Sequence, residues 1–351
     1  MRKRRSCDTA LESRPHIVEP EGARIVVAGA GAIGCFVGGL LAAAGHKVTL
    51  LLRPRIGQEI RAHGLTLTDY SGLAKNVGAN TLTLTQDPAC LAQADIVLVT
   101  VKSGATLGIG RAIAGHSHPQ ALVVSLQNGT QNAEDLRRLL PNHDVRAGMV
   151  PFNVVPMGQG CFHRATSGDI VIGAGQNPLV EALNVPHLAM RENPQITAIQ
   201  WGKFLINLNN ALNALSGLTL RQQLQDPGWR RLMADQWVEA LKVLRANGIT
   251  PKSTTPVRVG MIPFILRLPT PLFRRVAASM LTIDAQARSS MAQDLMNKRA
   301  SEVDALQGQV VRMGAQVGRP TPICSHVAEI MALAELAAEG LPDLPVTALR
   351  P

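Results

Sequence analysis

Residues 24–53 read RIVVAGAGAIGCFVGGLLAAAGHKVTLLLR, and this stretch decides the fold. An apolar run, residues 25–28, leads into three glycines at GxGxxG spacing. A helix-compatible run, residues 32–44, follows, and a second apolar run, residues 48–52, comes after it. The order strand, tight turn, helix, strand is the opening of a dinucleotide-binding unit.

The three glycines have separate mechanical roles in such a unit. Gly29 makes the turn, Gly31 leaves room for a pyrophosphate near the backbone, and Gly34 lets the helix pack close to the strand. The amino end of the helix offers unpaired N–H groups and a positive dipole end to the phosphates. The predicted cofactor loop therefore consists of Gly29, Ala30, Gly31, Ala32, Ile33 and Gly34.

Two other interpretations of this stretch are weaker. A lone GxGxxG is weak evidence, but here the flanking strands and helix stand in the required places. Residues 25–46 carry no Lys, Arg, Asp or Glu and are long enough to cross a bilayer. Several glycines interrupt that run, however, and no other segment resembles a span, so a nucleotide site is favoured over a membrane anchor.

The end of the second strand predicts which dinucleotide binds. In NAD-binding versions an Asp or Glu at this point bonds the ribose hydroxyls. This chain instead has Arg53, Pro54 and Arg55, with no acid before Glu59. Because a guanidinium suits a 2′-phosphate, we predict NADPH rather than NADH, bound in part by Arg53 and Arg55. The alternative is a solvated basic loop, which does not explain the missing acid.

Length and charge narrow the function classes. The chain has 351 residues, which fits two domains better than one, and 46% of them are hydrophobic. Its net charge of +10 is compatible with nucleic acid, a membrane surface or an anionic ligand. No zinc-finger spacing occurs, and no basic tract with interleaved aromatics lies beyond residues 2–5. We therefore expect an anionic cofactor and substrate, and neither nucleic acid nor membrane as a partner.

The cysteines and the amino terminus indicate the compartment. The five cysteines are odd in number and scattered, so they fit neither a disulfide framework nor a metal site. We expect a cytoplasmic protein without a bound metal. Residues 1–22 begin MRKRR, lack the apolar core of a secretory signal and contain four acids, which disfavours a transit peptide. They are predicted to be a flexible extension.

Strand and helix signals divide the remaining chain in two. Alternation of short strands with helices predicts a mostly parallel sheet, and two more polar strand candidates are expected to extend it antiparallel. After residue 195 the periodicity is helical. The predicted fold class is α/β, with a Rossmann-type domain at 23–195, an all-helical domain at 196–340 and a tail at 341–351. The later strand candidates are 65–68, 81–85, 95–101, 121–126, 145–150, 161–165 and 169–173, and the helix candidates are 198–215, 229–247, 284–313 and 325–338.

The first helix after the boundary carries polar residues in an apolar setting. Lys203, Asn207 and Asn210 stand at i, i+4 and i+7, so they share one face. A lysine and two amides are costly to bury without a purpose. A solvated polar stripe is the plain alternative, but the neighbouring nucleotide site favours a functional role.

A second polar group lies near residue 290. Ser290 and Asp294 open the segment, and Glu302 follows Ser290 by twelve residues. On one straight helix Ser290 and Glu302 would be roughly 18 Å apart, so they could not both touch one small substrate. Either Ser290 lies in a loop before the helix, or one of the two residues is outside the site.

Two strand ends in the first domain also carry polar side chains. Lys102 follows one strand, and Asn128 follows the next. In open α/β sheets ligands bind beyond the carboxyl ends of strands, although isolated residues of these types are more often turn formers.

Together these motifs resemble the ketopantoate reductase (2-dehydropantoate 2-reductase) family over residues 24–338. The motifs are GAGAIG at 29–34, VTVK at 99–102, QNG at 127–129, the lysine/asparagine helix at 203–210, and SSMAQD at 289–294 with Glu302 after it. The resemblance implies a Rossmann domain joined to a helical domain, with the site in the cleft. It also implies NADPH-linked reduction of 2-dehydropantoate to (R)-pantoate, on the route to pantothenate and coenzyme A.

Position by position, the resemblance assigns roles to the polar residues. Lys203 is similar to the family's general acid, and Glu302 to its partner and a contact to the substrate hydroxyl and cofactor. Asn128 would lie by the nicotinamide and substrate, and Lys102 near the cofactor. The implied substrate-binding residues are Asn128, Asn207, Asn210, Ser290 and Asp294.

Two departures from the family pattern leave the substrate open. An asparagine expected eight residues after the lysine is replaced by Ala211, and Asn210 is a candidate substitute. The segment 257–282 also looks longer than the family usually has. One alternative is therefore an NADPH reductase of a different 2-keto acid. Another is a nucleotide sensor without catalysis, although both the lysine and the glutamate are present.

The partners of the chain are otherwise weakly constrained. We expect a small 2-keto acid as substrate, and a homodimer is left open. The proline- and arginine-containing segment 257–275 suggests a membrane-surface contact less strongly than it suggests a lid or linker over the cleft.

Overall fold

The computed structural model describes residues 22–175, 179–254, 257–278 and 286–351. The strands within these residues are β1 (Arg24–Ala28), β2 (Lys47–Leu51), β3 (Leu65–Asp69), β4 (Ala74–Val77), β5 (Leu82–Thr85), β6 (Ile96–Val99), β7 (Leu122–Ser125), β8 (Val145–Met149), β9 (Val154–Gly158), β10 (Cys161–Arg164), β11 (Ile170–Gly173) and β12 (Met190–Asn193). Eight of them form a main sheet of order β5-β2-β1-β6-β7-β8-β11-β12. Neighbouring strands of this sheet pair in parallel, except that β11 runs antiparallel to β8.

The predicted parallel sheet is confirmed, but two of the strands predicted for it, at 65–68 and 161–165, belong to a separate sheet. The strand at 170–173 does join the sheet antiparallel, whereas β10 pairs with β3 and β9 in a separate sheet of order β4-β3-β10-β9. A buried ion pair between Arg164 and Asp69 fixes β10 beside β3, and the Arg164 guanidinium lies 5.5 Å from the ring centres of Phe36 and Phe152.

The first helix, α1 (Ala32–Ala43), lies between the two sheets, with eight of its twelve residues buried. A Cβ on Gly38 would stand 2.7 Å from Leu50 of the main sheet, and one on Gly39 would stand 2.8 Å from Leu67 of the second sheet. Two adjacent glycines therefore allow close packing on both sides. This double burial explains why residues 25–46 lack charges without forming a membrane span. No helix in the described ranges is long and apolar enough to cross a bilayer.

Three strands have no counterpart among the predicted elements. Residues 74–77 are mostly exposed, 154–158 contain a proline, and 190–193 form a polar edge of the main sheet. None presents the alternating or continuous apolar pattern from which strands are recognised.

After Pro194 the described residues form helices joined by turns, with no further strand among them. The predicted helices at 229–247 and 325–338 are present within a few residues of their predicted bounds. The helices after α1 in the part of the chain that the structure describes are α2 (Pro54–His63), α3 (Thr106–His116), α4 (Asn132–Leu139), α5 (Leu179–Leu183), α6 (Ile196–Asn207), α7 (Asn209–Ser216), α8 (Leu220–Gln225), α9 (Pro227–Ala246), α10 (Ile262–Leu266), α11 (Thr270–Val276), α12 (Ser290–Met296), α13 (Gln309–Gln316) and α14 (Pro322–Ala337).

Two predicted helices are interrupted. The helix predicted at 198–215 is divided at Leu208, whose backbone stays in the helical region. The segment 284–313, predicted to hold one helix, holds two separate helices, and its first residues, 284–285, lie outside the described ranges. There α12 ends at Met296, the chain turns through Lys298 with φ of 52°, and a π-turn at Asp304–Gly308 precedes α13.

The long segment after residue 257 packs onto α9 through a buried arginine. The Arg230 guanidinium donates to the carbonyls of Leu224, Leu266 and Leu268 and lies 4.4 Å from the Phe273 ring centre. Its remaining predicted part, 279–282, lies outside the described ranges. Residues 341–351, treated above as a tail, also contact the helical part, with Leu349 fully buried. Residues 1–21 are likewise not described.

Candidate active site

The glycine loop has the geometry expected of a phosphate cradle. Gly29 has φ of +91°, and a Cβ there would overlap Val101. A Cβ on Gly34 would stand 2.5 Å from Thr100 Oγ1 and 2.9 Å from Val27 Cγ1, so glycine allows α1 to approach β1. At Gly31 the same atom would meet only the Gly29 carbonyl at 3.9 Å, which leaves that side of the loop open. The loop therefore presents backbone and a helix amino end to a ligand.

The predicted phosphate-binding arginines stand beside this loop. The Gly29 and Ala30 amides donate to the Leu51 carbonyl at 3.0 Å, which places the end of β2 against the loop. Arg53 follows two residues later, exposed, and it has no ion-pair partner among the described residues. Arg55 is also exposed and contacts Glu59 at 3.3 Å, one helical turn later. Both guanidinium groups are therefore available to an anion.

Lys203 lies near the end of α6 and points toward the main sheet. Its ammonium donates to Asn128 Oδ1 at 3.1 Å and to the Val150 carbonyl. Burial lowers the pKa of Lys203 to about 8, and the Glu302 carboxylate opposes that shift. The ammonium is thus poised near neutral pH, as a proton donor requires.

Asn128 joins the lysine to the predicted glutamate. Its Nδ2 donates to Glu302 Oε2 at 3.1 Å, while its Oδ1 accepts from Lys203. Glu302 Oε1 accepts from the Ser103 hydroxyl at 3.1 Å and from the Ser103 amide at 3.3 Å. One hydrogen-bonded chain therefore links the helical part, the end of β7 and the end of β6.

Lys102 contacts the helical part of the molecule. Its ammonium lies 2.7 Å from Asp294 Oδ1 and donates to the Ala300 carbonyl at 2.8 Å. Burial raises the pKa of Asp294, and the lysine opposes that rise. The pair bridges the loop after β6 and the end of α12.

The remaining predicted substrate residues fall into two places. Asn207 lines a small pocket with Asn128 and Lys203, and its side chain has no hydrogen-bond partner within the described ranges. Asn210 instead donates to Ser290 Oγ at 3.4 Å, and neither residue lines that pocket. Ala211 is fully buried, so it offers no surface to a ligand.

The segment between Ser290 and Glu302 is not one straight helix. Ser290 begins α12, which ends at Met296, and Lys298 has a positive φ before Glu302 is reached. The two residues are therefore not held apart by a straight rod.

Several supporting residues are absent from the prediction. Ser103, Thr106 and Asn132 form a hydrogen-bonded group beneath Asn128, and Gln307 donates to the Leu208 carbonyl at 2.8 Å. Serine, threonine and asparagine after strands are ordinary turn formers. The one available signal is their adjacency to Lys102 and Asn128.

Models of one protein family match both halves of the chain. Residues 25–177 match "Ketopantoate reductase PanE/ApbA", and residues 195–335 match "Ketopantoate reductase PanE/ApbA C terminal". The chain belongs to the ketopantoate reductase family. The resemblance drawn from the motifs is therefore confirmed, and the protein is an oxidoreductase of that family.

Individual members of the ketopantoate reductase family are similar over nearly the whole chain. A 2-dehydropantoate 2-reductase from Halobacterium salinarum is 28% identical over 89% of this chain and 99% of its own. The crystal structure of a PanE/ApbA family ketopantoate reductase from Ralstonia eutropha is 30% identical, with a TM-score of 0.77 over 90% of this chain and 99% of its own. A D-mandelate dehydrogenase solved with NADH and anilino(oxo)acetate, 19% identical with a TM-score of 0.73 over 90% and 99%, shares the fold.

Proposed function

We propose that this protein reduces 2-dehydropantoate to (R)-pantoate with NADPH, within the cytoplasmic synthesis of pantothenate and coenzyme A. The observation that carries the proposal is the chain Lys203–Asn128–Glu302 at the carboxyl ends of the parallel strands. The glycine loop is adjacent, because Thr100 Oγ1, beyond β6, donates to the Gly29 carbonyl at 2.9 Å. A proton donor and a dinucleotide cradle therefore share one edge of the sheet.

The residues at this edge fit NADPH. The open side of Gly31 and the amino end of α1 would hold the pyrophosphate, and Arg53 and Arg55 would hold the 2′-phosphate. When bound, NADPH supplies the hydride that converts a 2-keto group to an alcohol. The D-mandelate dehydrogenase of related fold was solved with NADH, so the preference for the phosphorylated cofactor is drawn from the arginines of this chain.

The protein's own contribution is placement and the proton. As hydride reaches the carbonyl carbon, negative charge develops on the carbonyl oxygen. The Lys203 ammonium would stabilise that charge and then donate its proton to the oxygen. Asn128 holds the ammonium through Oδ1, and Glu302 anchors Asn128 from the opposite lobe. Asn207 lines the same pocket, its amide has no hydrogen-bond partner among the described residues, and it would bind a polar group of the substrate.

The substrate assignment is supported by the names of the relatives and by the chemistry of the pocket. A second 2-keto acid is the alternative, favoured by the burial of Ala211 where the family pattern has an asparagine. A dimeric ketopantoate reductase from Staphylococcus aureus, 15% identical with a TM-score of 0.65, leads us to propose a homodimer also.

The test is an NADPH-oxidation assay with 2-dehydropantoate and a series of bulkier 2-keto acids, with NADH as the control cofactor. Fastest turnover of 2-dehydropantoate with NADPH is expected. A higher kcat/KM for a bulkier keto acid would show that 2-dehydropantoate is not the preferred substrate. NADPH binding without turnover of any keto acid would indicate a sensor instead.

A further inference from the structure

Ser103 makes two hydrogen bonds to Glu302, although no function has yet been assigned to this serine. Both its amide and its hydroxyl donate to Glu302 Oε1, at 3.3 and 3.1 Å. The residue opens the short turn, Ser103–Ala105, that leads into α3. The carboxylate of the helical part is thus seated at a helix amino end, where N–H groups and the dipole favour an anion.

The Ser103 hydroxyl accepts one hydrogen bond from a buried amide and has two acceptors within reach of its proton. Asn132 Nδ2 donates to Ser103 Oγ at 3.1 Å and to the Asn128 carbonyl at 2.5 Å. The Asn128 carbonyl, the other acceptor within reach of Ser103 at 3.2 Å, therefore already has a donor. A hydroxyl carries one proton, and the carboxylate of Glu302 is both the nearer and the charged acceptor, so the proton is directed to Glu302.

Both ends of the Asn132 amide have partners. Its Nδ2 donates to Ser103 Oγ and to the Asn128 carbonyl, and its Oδ1 lies 2.8 Å from Thr106 Oγ1. Thr106 Oγ1 accepts from Gln127 Nε2 at 2.7 Å and has the Ser103 carbonyl, at 2.9 Å, as its other acceptor. Thr106, Asn132 and Gln127 are all buried. Because buried polar groups that are satisfied in one arrangement resist rotation, the Ser103 hydroxyl is held rather than free.

We propose that Ser103 is a positioning residue, which fixes Oε1 of Glu302 so that Oε2 stays on Asn128 and the carboxylate remains directed toward Lys203. The proposal rests on the keto-acid reduction proposed above only for its kinetic consequence. Its structural consequence, the placement of Glu302 relative to Lys203, is independent of the substrate.

The position of Glu302 has a measurable effect on the lysine. Burial lowers the pKa of Lys203, and the negative charge of Glu302 raises it. Other charged groups lie near this carboxylate. Lys102 and Asp294 form an ion pair at 2.7 Å, and the positive charge of Arg299 lowers the pKa of Asp294. If Glu302 loses its hydrogen bonds to Ser103 and moves away from Lys203, the pKa of Lys203 falls further.

The test compares Ser103→Ala with two matched variants. Ser103→Thr retains the hydroxyl, and Ser117→Ala makes the same chemical change at the far end of α3. The first measurement is the pH titration of the Lys203 ε-methylene NMR signal, assigned with Lys203→Arg. The second is kcat and KM for 2-dehydropantoate at pH 6.5, where the lysine stays protonated. If Ser103→Ala does not fold, Ser103→Cys, which keeps the volume but donates weakly, replaces it.

We expect Ser103→Ala to lower the pKa of Lys203 and to raise KM about tenfold, the usual consequence of losing a hydrogen bond to a charged group. Its kcat should change less, and Ser103→Thr and Ser117→Ala should behave as the wild type. An unchanged lysine titration in Ser103→Ala would overturn the proposal. If the wild type turns over no keto acid, the proposed function fails, while the titration still decides the role of Ser103.

Discussion

Lys203 combines two opposing influences on one ammonium. Desolvation disfavours its charge, while Glu302 and the hydrogen bonds to Asn128 and the Val150 carbonyl favour it. The outcome, a pKa of about 8, leaves the residue protonated at neutral pH yet able to release its proton. An exposed lysine, with its much higher pKa, would be a poorer donor under the same conditions.

This balance predicts the pH dependence of the reaction. A general acid works in its protonated form, so kcat/KM should be level below about pH 8 and fall above it, as Lys203 loses its proton. The measurement is a pH–rate profile from pH 6 to pH 10, with NADPH saturating throughout. Activity that stays level through pH 10 would exclude Lys203 as the titrating donor.

The sequence predicted the central residues of this site but not their supports. Lys203 and Asn128 are recognisable because each interrupts an apolar setting or ends a buried strand. Ser103, Thr106 and Asn132 have no such signal, since their importance arises from a network that joins distant segments. The partner of Asp294 was equally hidden, because Lys102 precedes it by nearly two hundred residues.

At the scale of elements, a helix irregularity follows each of the two proposed catalytic residues, Lys203 and Glu302. The interruption at Leu208 separates Lys203 and Asn207 from Asn210, and the π-turn at Asp304–Gly308 follows Glu302. Gln307, fully buried within the π-turn, donates to the Leu208 carbonyl at 2.8 Å. Turns of this kind occur often at functional sites, because they redirect side chains within a helix. The regular helical periodicity of the sequence does not reveal either irregularity.

The link between the two irregularities predicts the effect of Gln307→Leu. The Leu208 carbonyl loses its donor, at a cost of roughly 1–3 kcal/mol, but the Gln307 Oε1, which has no partner within the described ranges, is also removed. We therefore expect a small change in the free energy of unfolding and a fall in kcat of about tenfold or more, because the catalytic helix shifts.

The measurements are urea unfolding and steady-state kinetics. Gln316→Leu, an exposed position at the end of α13, is the control. Wild-type kcat in Gln307→Leu would show that the π-turn does not position the catalytic helix.

At the scale of the whole molecule, the site exists because two parts of the chain meet. Glu302 with Asn128, Lys203 with the Val150 carbonyl, and Lys102 with Asp294 all cross between the sheet and the helical part. The alternation of strands and helices, followed by helices alone, was enough to predict this architecture, whereas the second sheet around α1 was not predicted. Two of its strands, β3 and β10, were recognised as strands, but their pairing depends on contacts such as Arg164 with Asp69 that only the folded chain brings together.

Cofactor binding should stabilise the whole molecule selectively. A ligand at 100 times its Kd stabilises the folded state by about 2.7 kcal/mol, so NADPH should raise Tm more than NADH at equal concentration. Because Arg53 and Arg55 are available to the 2′-phosphate, Arg53→Ala should reduce that difference. Arg191→Ala, on β12 at the opposite edge of the sheet from β2, should retain it. Equal shifts with both cofactors in the wild type would refute the assignment of NADPH.

The most direct test of the account is a single-turnover experiment on Lys203→Ala. Enzyme with one equivalent of NADPH, whose binding is verified by its fluorescence, is mixed with excess 2-dehydropantoate, and the loss of NADPH absorbance is followed. We expect rapid oxidation by the wild type and a rate about 10²–10⁴-fold lower in the variant, with the Kd for NADPH little changed. Oxidation at the wild-type rate in Lys203→Ala would contradict the claim that this ammonium supplies the proton.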